Sequence, residues 1–183
     1  MPQPLPSLQM SKQARGLTPA IRPPLYSPEE RRRRDATVWT LVQGVLAPVQ
    51  FLVFLVSLAL VLRYLATGEG HAMATGSVVV KTLTLYTIMI TGCVWEKVVF
   101  GRYLFAPAFY WEDVFSMLVL ALHTLYLLVV ATGALDPRGQ MLLALAAYAT
   151  YLINATQFVL KLRAARLDHD RRTAALASGG APA

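Results

Sequence analysis

"VWTLVQGVLAPVQFLVFLVSLALVLRYLA", residues 38–66, is an apolar run interrupted by Gln43, Pro48, Gln50, Ser57 and Arg63. A helix needs about 20 such residues to cross a bilayer. Three more runs of that length follow. Residues 73–100 contain Lys81 and Glu96, residues 114–134 contain His123, and residues 141–160 contain Asn154 and Gln157. None alternates with the two-residue period of a barrel strand. "TGEGH" at 67–71 and "DPRG" at 136–139 read as tight turns. The sequence therefore predicts an all-α polytopic membrane protein, with four transmembrane helices in an up-down bundle.

Composition agrees. Of 183 residues, 56% are hydrophobic, and the mean hydropathy is +0.49. Soluble domains of this size are less apolar. The formal charge of +7 sits outside the apolar runs. Lys12, Arg15, Arg22 and Arg31 to Arg34 precede the first run; Lys161, Arg163, Arg166, Arg171 and Arg172 follow the last. Lys97 and Arg102 lie in the middle loop, whereas Arg63 and Arg138 lie on the opposite side. By the positive-inside rule, both termini and residues 95–113 are expected in the cytoplasm. Residues 1–24 are Pro-rich without an apolar core, so no cleavable signal peptide is expected. Cys93, the one cysteine, excludes an intrachain disulfide.

"SPEERRRRD", 27–35, carries a helix start: Ser27 as cap, Pro28 at the first position, Glu30 closing a capping box. This predicts a short interfacial helix. Its arginines suit phosphates; beside a span, anionic lipids are the partner expected, not nucleic acid. Residues 1–24 and 168–183 are expected to be disordered tails around a domain of residues 25–167.

Polar residues within the spans should face inward. At 100° per residue, Gln43, Gln50, Phe54 and Ser57 share one face of the first helix; Thr150, Asn154, Gln157 and Lys161 share one of the fourth. Each set reads as interhelical hydrogen bonding or as a pocket lining. Glu112, Ser116, His123 and Tyr126 fall in a narrow arc of the third helix, with Asp113 about a quarter turn away. His123 is about 16 Å deeper than Glu112 at 1.5 Å per residue. It reads as a packing residue or as a metal ligand. Lys81 either snorkels outward or pairs with a ligand carboxylate.

The stretch "WEKVVFGRYLFAPAFYWED", 95–113, places three acids, two bases and many rings between two spans. An interfacial aromatic belt would explain the rings. The acids are not what a cytoplasmic loop favours. Carboxyl groups beside low-dielectric surface retain protons more readily and can serve as general acids. No Walker loop, dinucleotide fingerprint, HExxH or cysteine cluster is present.

Three segments carry a resemblance. They are "PLYSPEERRRRDATVWTLVQGVLAPVQFLVFLVSLALVLRYLATGEG", "YTIMITGCVWEKVVFGRYLFAPAFYWEDVFSMLVLALHT" and "ALDPRGQMLLALAAYATYLINATQFVLKLRAARL", together spanning about residues 24–167. The chain resembles the vinyl hydratases of bacteriochlorophyll biosynthesis, the 2-vinyl bacteriochlorophyllide or chlorophyllide 3-vinyl hydratases. The resemblance implies addition of water across the vinyl group of a chlorophyllide, giving a 1-hydroxyethyl group. It implies a bacterial inner membrane, no redox cofactor, and magnesium that arrives with the substrate. Contacts with other enzymes of the same biosynthesis are a further expectation.

On that reading Glu96 or Glu112 is expected to be the general acid, with Asp113 orienting or sharing the proton. Trp39, Gln43, Trp95, Phe109, Trp111, Tyr126 and Asn154 are expected to line the macrocycle site. Lys97 or Arg102 would pair with the propionate, and His123 would be an axial ligand to the substrate's magnesium. The alternative is a tetrapyrrole carrier or assembly protein, which would not need the acids. A transporter is disfavoured, because the external half lacks a continuous polar path.

Overall fold

The computed structural model describes residues 24–177 and 179. Five helices follow one another: α1 Pro28–Ala36, α2 Val38–Thr67, α3 His71–Phe100, α4 Tyr110–Thr132 and α5 Pro137–Ala177. Among the described residues, α2 to α5 are the four long and apolar enough to cross a membrane. They form a polytopic all-α bundle. The expected disorder of residues 1–23 lies outside the described residues.

Helix ends follow from local chemistry. Ser27 Oγ accepts from the Glu30 amide at 3.2 Å, and Glu30 Oε2 accepts from the Ser27 amide at 2.7 Å, closing the capping box. Thr37 is extended, φ −88° and ψ 137°, and separates α1 from α2. α2 runs through Pro48, so one backbone acceptor of the preceding turn loses its partner. The turn into α3 holds Gly68 at φ 75° and Gly70 at φ 82°, left-handed values that make the two-glycine link short. That shortness forces α2 and α3 antiparallel.

Two boundaries differ from the sequence reading. α4 starts at Tyr110, not 114, because Glu112 and Asp113 favour a helix's first turn. α5 starts at Pro137, with Asp136 Oδ1 accepting from the Gly139 amide at 3.1 Å. It also continues to Ala177, correcting the boundary of the C-terminal tail at 168. Ala, Arg and Leu dominate residues 161–177, and no glycine or proline occurs between Gly139 and Gly179. At 1.5 Å per residue, 41 residues span about 60 Å, twice a bilayer's hydrocarbon. The end of α5 returns to α1, where Arg31 Nη1 donates to His169 Nδ1 at 2.8 Å.

α2 packs most closely on α3, and α4 on α5, so the bundle is two helical hairpins. Polar pairs mark the register. Gln43 Nε2 donates to Thr91 Oγ1 at 2.8 Å, and Ser57 meets Ser77 at 2.7 Å, so fourteen residues along α2 (43 to 57) match fourteen back along α3 (91 to 77). Between hairpins, Tyr86 meets Thr124 at 2.8 Å and Ser57 meets Tyr148 at 2.5 Å. Phe54, Val61, Val78, Leu85, Tyr126 and Tyr148 fill the centre. Ala144 and Ala147 on α5 are fully covered, the small residues that close helix approach requires. Outward faces are apolar, with Leu41, Leu52 and Val56 all more than 60% exposed, as lipid contact demands.

α1 lies against α3. Tyr26 stacks on Phe100 at 5.7 Å and contacts Phe109, while Arg34 sits 4.7 Å over its ring. Burial pushes the Tyr26 hydroxyl above its ordinary pKa, against the pull of Arg34. Replacing Ser27→Ala removes the cap and should cost α1 about 1 kcal/mol. Amide exchange over α1 should then accelerate about fivefold, with the four long helices unchanged.

Candidate active site

The last turn of α3 and the first turn of α4 meet beneath the loop 101–109. Glu96 is 6% exposed and Asp113 4%. Consecutive amides of the loop reach both acids, which brings the two side chains to one place. Two carboxyls held together out of water favour keeping one proton between them. The loop caps the pair with consecutive amides. The Phe105 N–H donates to Asp113 Oδ2 at 2.7 Å, and the Ala106 N–H to Glu96 Oε2 at 3.4 Å. Phe105 adopts φ 58°, the one non-glycine residue with positive φ among the described residues. Such a conformation costs about 1 kcal/mol, and it turns both amides toward the acids.

Glu112 is separate in role. Its Oε2 lies 2.5 Å from Lys161 Nζ on α5, forming an ion pair at the mouth of the α4–α5 seam. One turn deeper, Asn154 Nδ2 donates to Ser116 Oγ at 2.8 Å. The narrow arc of the sequence reading is thus the packed face of α4: Glu112, Ser116, His123 and Tyr126 are all buried. Asp113, a quarter turn away, is buried toward α3 instead.

The candidate substrate residues divide. Trp95 donates through Nε1 to Thr40 Oγ1 at 2.9 Å and packs edge-on to Phe100 and Phe109. Phe109 is 2% exposed, stacked on Phe158, with Lys161 Nζ 5.1 Å from its ring centre. It closes the space beside the acids and presents no open wall. Trp39 is half-buried on the first turn of α2, and Gln43 is held by Thr91. Trp111 is 67% exposed and Arg102 also lies at the surface. Lys97 Nζ donates to the Gly101 carbonyl at 3.0 Å, capping α3, and lies over Tyr103.

His123 is fully buried. Its Nδ1 lies 2.8 Å from the Val119 carbonyl. A carbonyl only accepts, so Nδ1 carries the hydrogen and Nε2 keeps its lone pair. That Nε2, the Tyr126 hydroxyl and both amide atoms of Gln50 have no hydrogen-bond partner in the structure.

Sequence reasoning missed three participants. Lys161 was placed on the right face of its helix but not matched to Glu112, seven residues beyond Asn154 though it lies. The Phe105 and Ala106 amides carry no side-chain signal at all. Lys81 was left with two readings, and its snorkelling reading is corrected: the whole residue is 0% exposed.

An acid pair buried at one end of a four-span bundle, with further polar groups enclosed along its interior, defines a polytopic membrane protein with a polar centre. The chain belongs to the 2-vinyl bacteriochlorophyllide hydratase family, whose profile matches residues 26–164. It is 70% identical over 145 residues to the 2-vinyl bacteriochlorophyllide hydratase of Cereibacter sphaeroides, covering 79% of this chain and 89% of that protein. It is 68% identical over 143 residues to the protein of the same name from Rhodobacter capsulatus, covering 78% and 83%. No solved structure matches the chain.

The Glu112–Lys161 pair yields a stability prediction. Lys161→Met leaves Glu112 buried without its partner and should destabilise the protein by about 1–3 kcal/mol. Adding Glu112→Gln should recover most of that loss, since it removes the stranded charge. Unfolding in detergent of both single variants and the double variant measures the coupling.

Proposed function

We propose that Glu96 and Asp113 form the acid–base pair of the reaction that the family performs, addition of water across the vinyl group of a chlorophyllide or bacteriochlorophyllide. The observation that carries this reading is a pair of buried carboxyls, one from α3 and one from α4, each accepting from one of two consecutive loop amides. The pair gives its proton to the terminal vinyl carbon. The neighbouring carbon becomes a cation, delocalised into the macrocycle. Water adds there, and the carboxylate left behind takes the excess proton, restoring the pair and giving the 1-hydroxyethyl group. The Phe105 and Ala106 amides stabilise the carboxylate in the interval. Only a proton and water are exchanged, so the chemistry calls for no redox cofactor. Glu112 is the weaker candidate for the acid, because its Oε2 is already engaged by Lys161 Nζ.

His123 supports a place for the pigment's own magnesium. Its lone pair at Nε2 is unpartnered inside the bundle, and the Val119 carbonyl fixes the tautomer. The macrocycle would lie in the seam between hairpins, with Tyr126 at its edge and Gln43 and Asn154 within the flanking hairpins. A carrier would use His123 equally, but it gives no reason for a pair of buried acids held under loop amides.

The basic flanks support a cytoplasmic side for the termini and the loop 101–109, with the four helices in a bacterial inner membrane. The contact between Arg31 and His169 supports a common side for the two ends. The α1 arginines suit anionic headgroups.

In purified protein supplied with chlorophyllide a, product should gain the mass of one water, with oxygen from labelled solvent. Glu96→Gln and Asp113→Asn should each lower kcat by at least about 100-fold while pigment binding is retained. Wild-type rates in both would eliminate the pair as the acid. Pigment bound but unchanged by folded wild-type protein would favour the carrier. For the topology, Arg102→Cys in a Cys93→Ser background should react with an impermeant maleimide in inverted vesicles and not in intact spheroplasts.

A further inference from the structure

We infer that Lys81 is the binding site for a carboxylate carried by the ligand, deep in the bundle at the end opposite the acid pair. Lys81 is fully buried, and its Nζ has no hydrogen-bond partner. Its neighbour is the face of the Tyr151 ring, 3.8 Å from Nζ. A ring face offsets part of an ammonium's charge but satisfies none of its three directional donors. An isolated ammonium in such surroundings demands an anion.

The bundle's own acids are elsewhere. Glu96 lies fifteen residues along the same helix (81 to 96), about 22 Å away at 1.5 Å per residue. The Gln50 amide of α2, also unpartnered, lies close to the same level, since the Ser57–Ser77 pair sets residue 53 opposite Lys81. One cation with neutral donors matches a monoanion better than a phosphate. The remaining walls, Phe54, Tyr148 and Tyr151, are rings packed on one another, suited to a carboxylate on a large apolar body.

This inference rests on the hydratase reading and deepens it. The carboxylate is then the pigment's propionate, displacing Lys97 and Arg102 from that role. Lys97 already caps α3, and Arg102 is at the surface. The Tyr86–Thr124 bond fixes the level of His123 on α3. On that register His123 lies about 15 Å from Asp113 and about 8 Å short of Lys81.

The test compares magnesium chlorophyllide a with its propionate methyl ester, titrated into the full-length protein in detergent, with hydration followed in parallel. Wild type should bind the acid about 10- to 100-fold more tightly than the ester. Lys81→Met should lose that preference, and Lys81→Arg should keep part of it. Equal affinity of wild type for acid and ester overturns the inference, whatever the variants do. So does a preference that survives Lys81→Met and disappears in Arg102→Ala. Acetate that stabilises wild type but not Lys81→Met, beside equal binding of the two pigments, would assign the site to a small free carboxylate and likewise overturn the propionate. Hydration of either pigment keeps the hydratase reading apart from these outcomes; absence of hydration with both pigments bound would count against that reading alone.

Discussion

A polar side chain inside a bilayer has no water to turn to, so it must find its partner on another helix. The architecture depends on that constraint. Gln43 with Thr91, Ser57 with Ser77 and Tyr148, Tyr86 with Thr124, Ser116 with Asn154 and Glu112 with Lys161 join neighbouring helices. Each pair fixes a register as well as a contact, because a helix slipped by one turn would strand both members. Apolar packing alone, in a solvent as apolar as the side chains, would leave that register loose.

The constraint also explains where function is concentrated. The carboxyls of Glu96 and Asp113 each accept from one of the loop's two amides, with the φ of Phe105 bent to supply them. Deeper in the bundle the same accounting fails. Lys81, His123, Tyr126 and Gln50 retain unpartnered atoms although they are almost wholly buried. Buried polar groups are rarely left unpaired, and these stand on three neighbouring helices, α2, α3 and α4.

Much of this was legible in the sequence. Four runs, tight turns and the capping box of Ser27 and Glu30 gave the helices, and the 100° periodicity placed Gln50, Ser57, Ser116 and Asn154 on interior faces. Helix boundaries at 110 and 177 were less visible, because hydropathy marks where lipid begins and not where hydrogen bonding ends. The acid partnership was hidden for another reason. Glu96, Glu112 and Asp113 look equivalent in a charged loop, and only the packing of α5 decides that Glu112 meets Lys161 while Asp113 turns to Glu96. Backbone donors such as those of Phe105 and Ala106 are invisible to residue type. The resemblance gave the chemistry without assigning it to atoms.

The two-hairpin construction has a mechanical consequence. In water, prising apart two halves of a core exposes apolar surface and is strongly opposed. In hydrocarbon that opposition vanishes, since lipid chains or a ligand replace side-chain contacts in kind. What holds the halves together is then a short row of clasps such as Ser57–Tyr148 and Tyr86–Thr124, each worth only about 0.6 kcal/mol in a membrane. The protein resembles a book held shut by a few weak snaps: its covers stay rigid while the pages part, and a broad flat molecule can slip sideways from the bilayer into the opening without unfolding either cover.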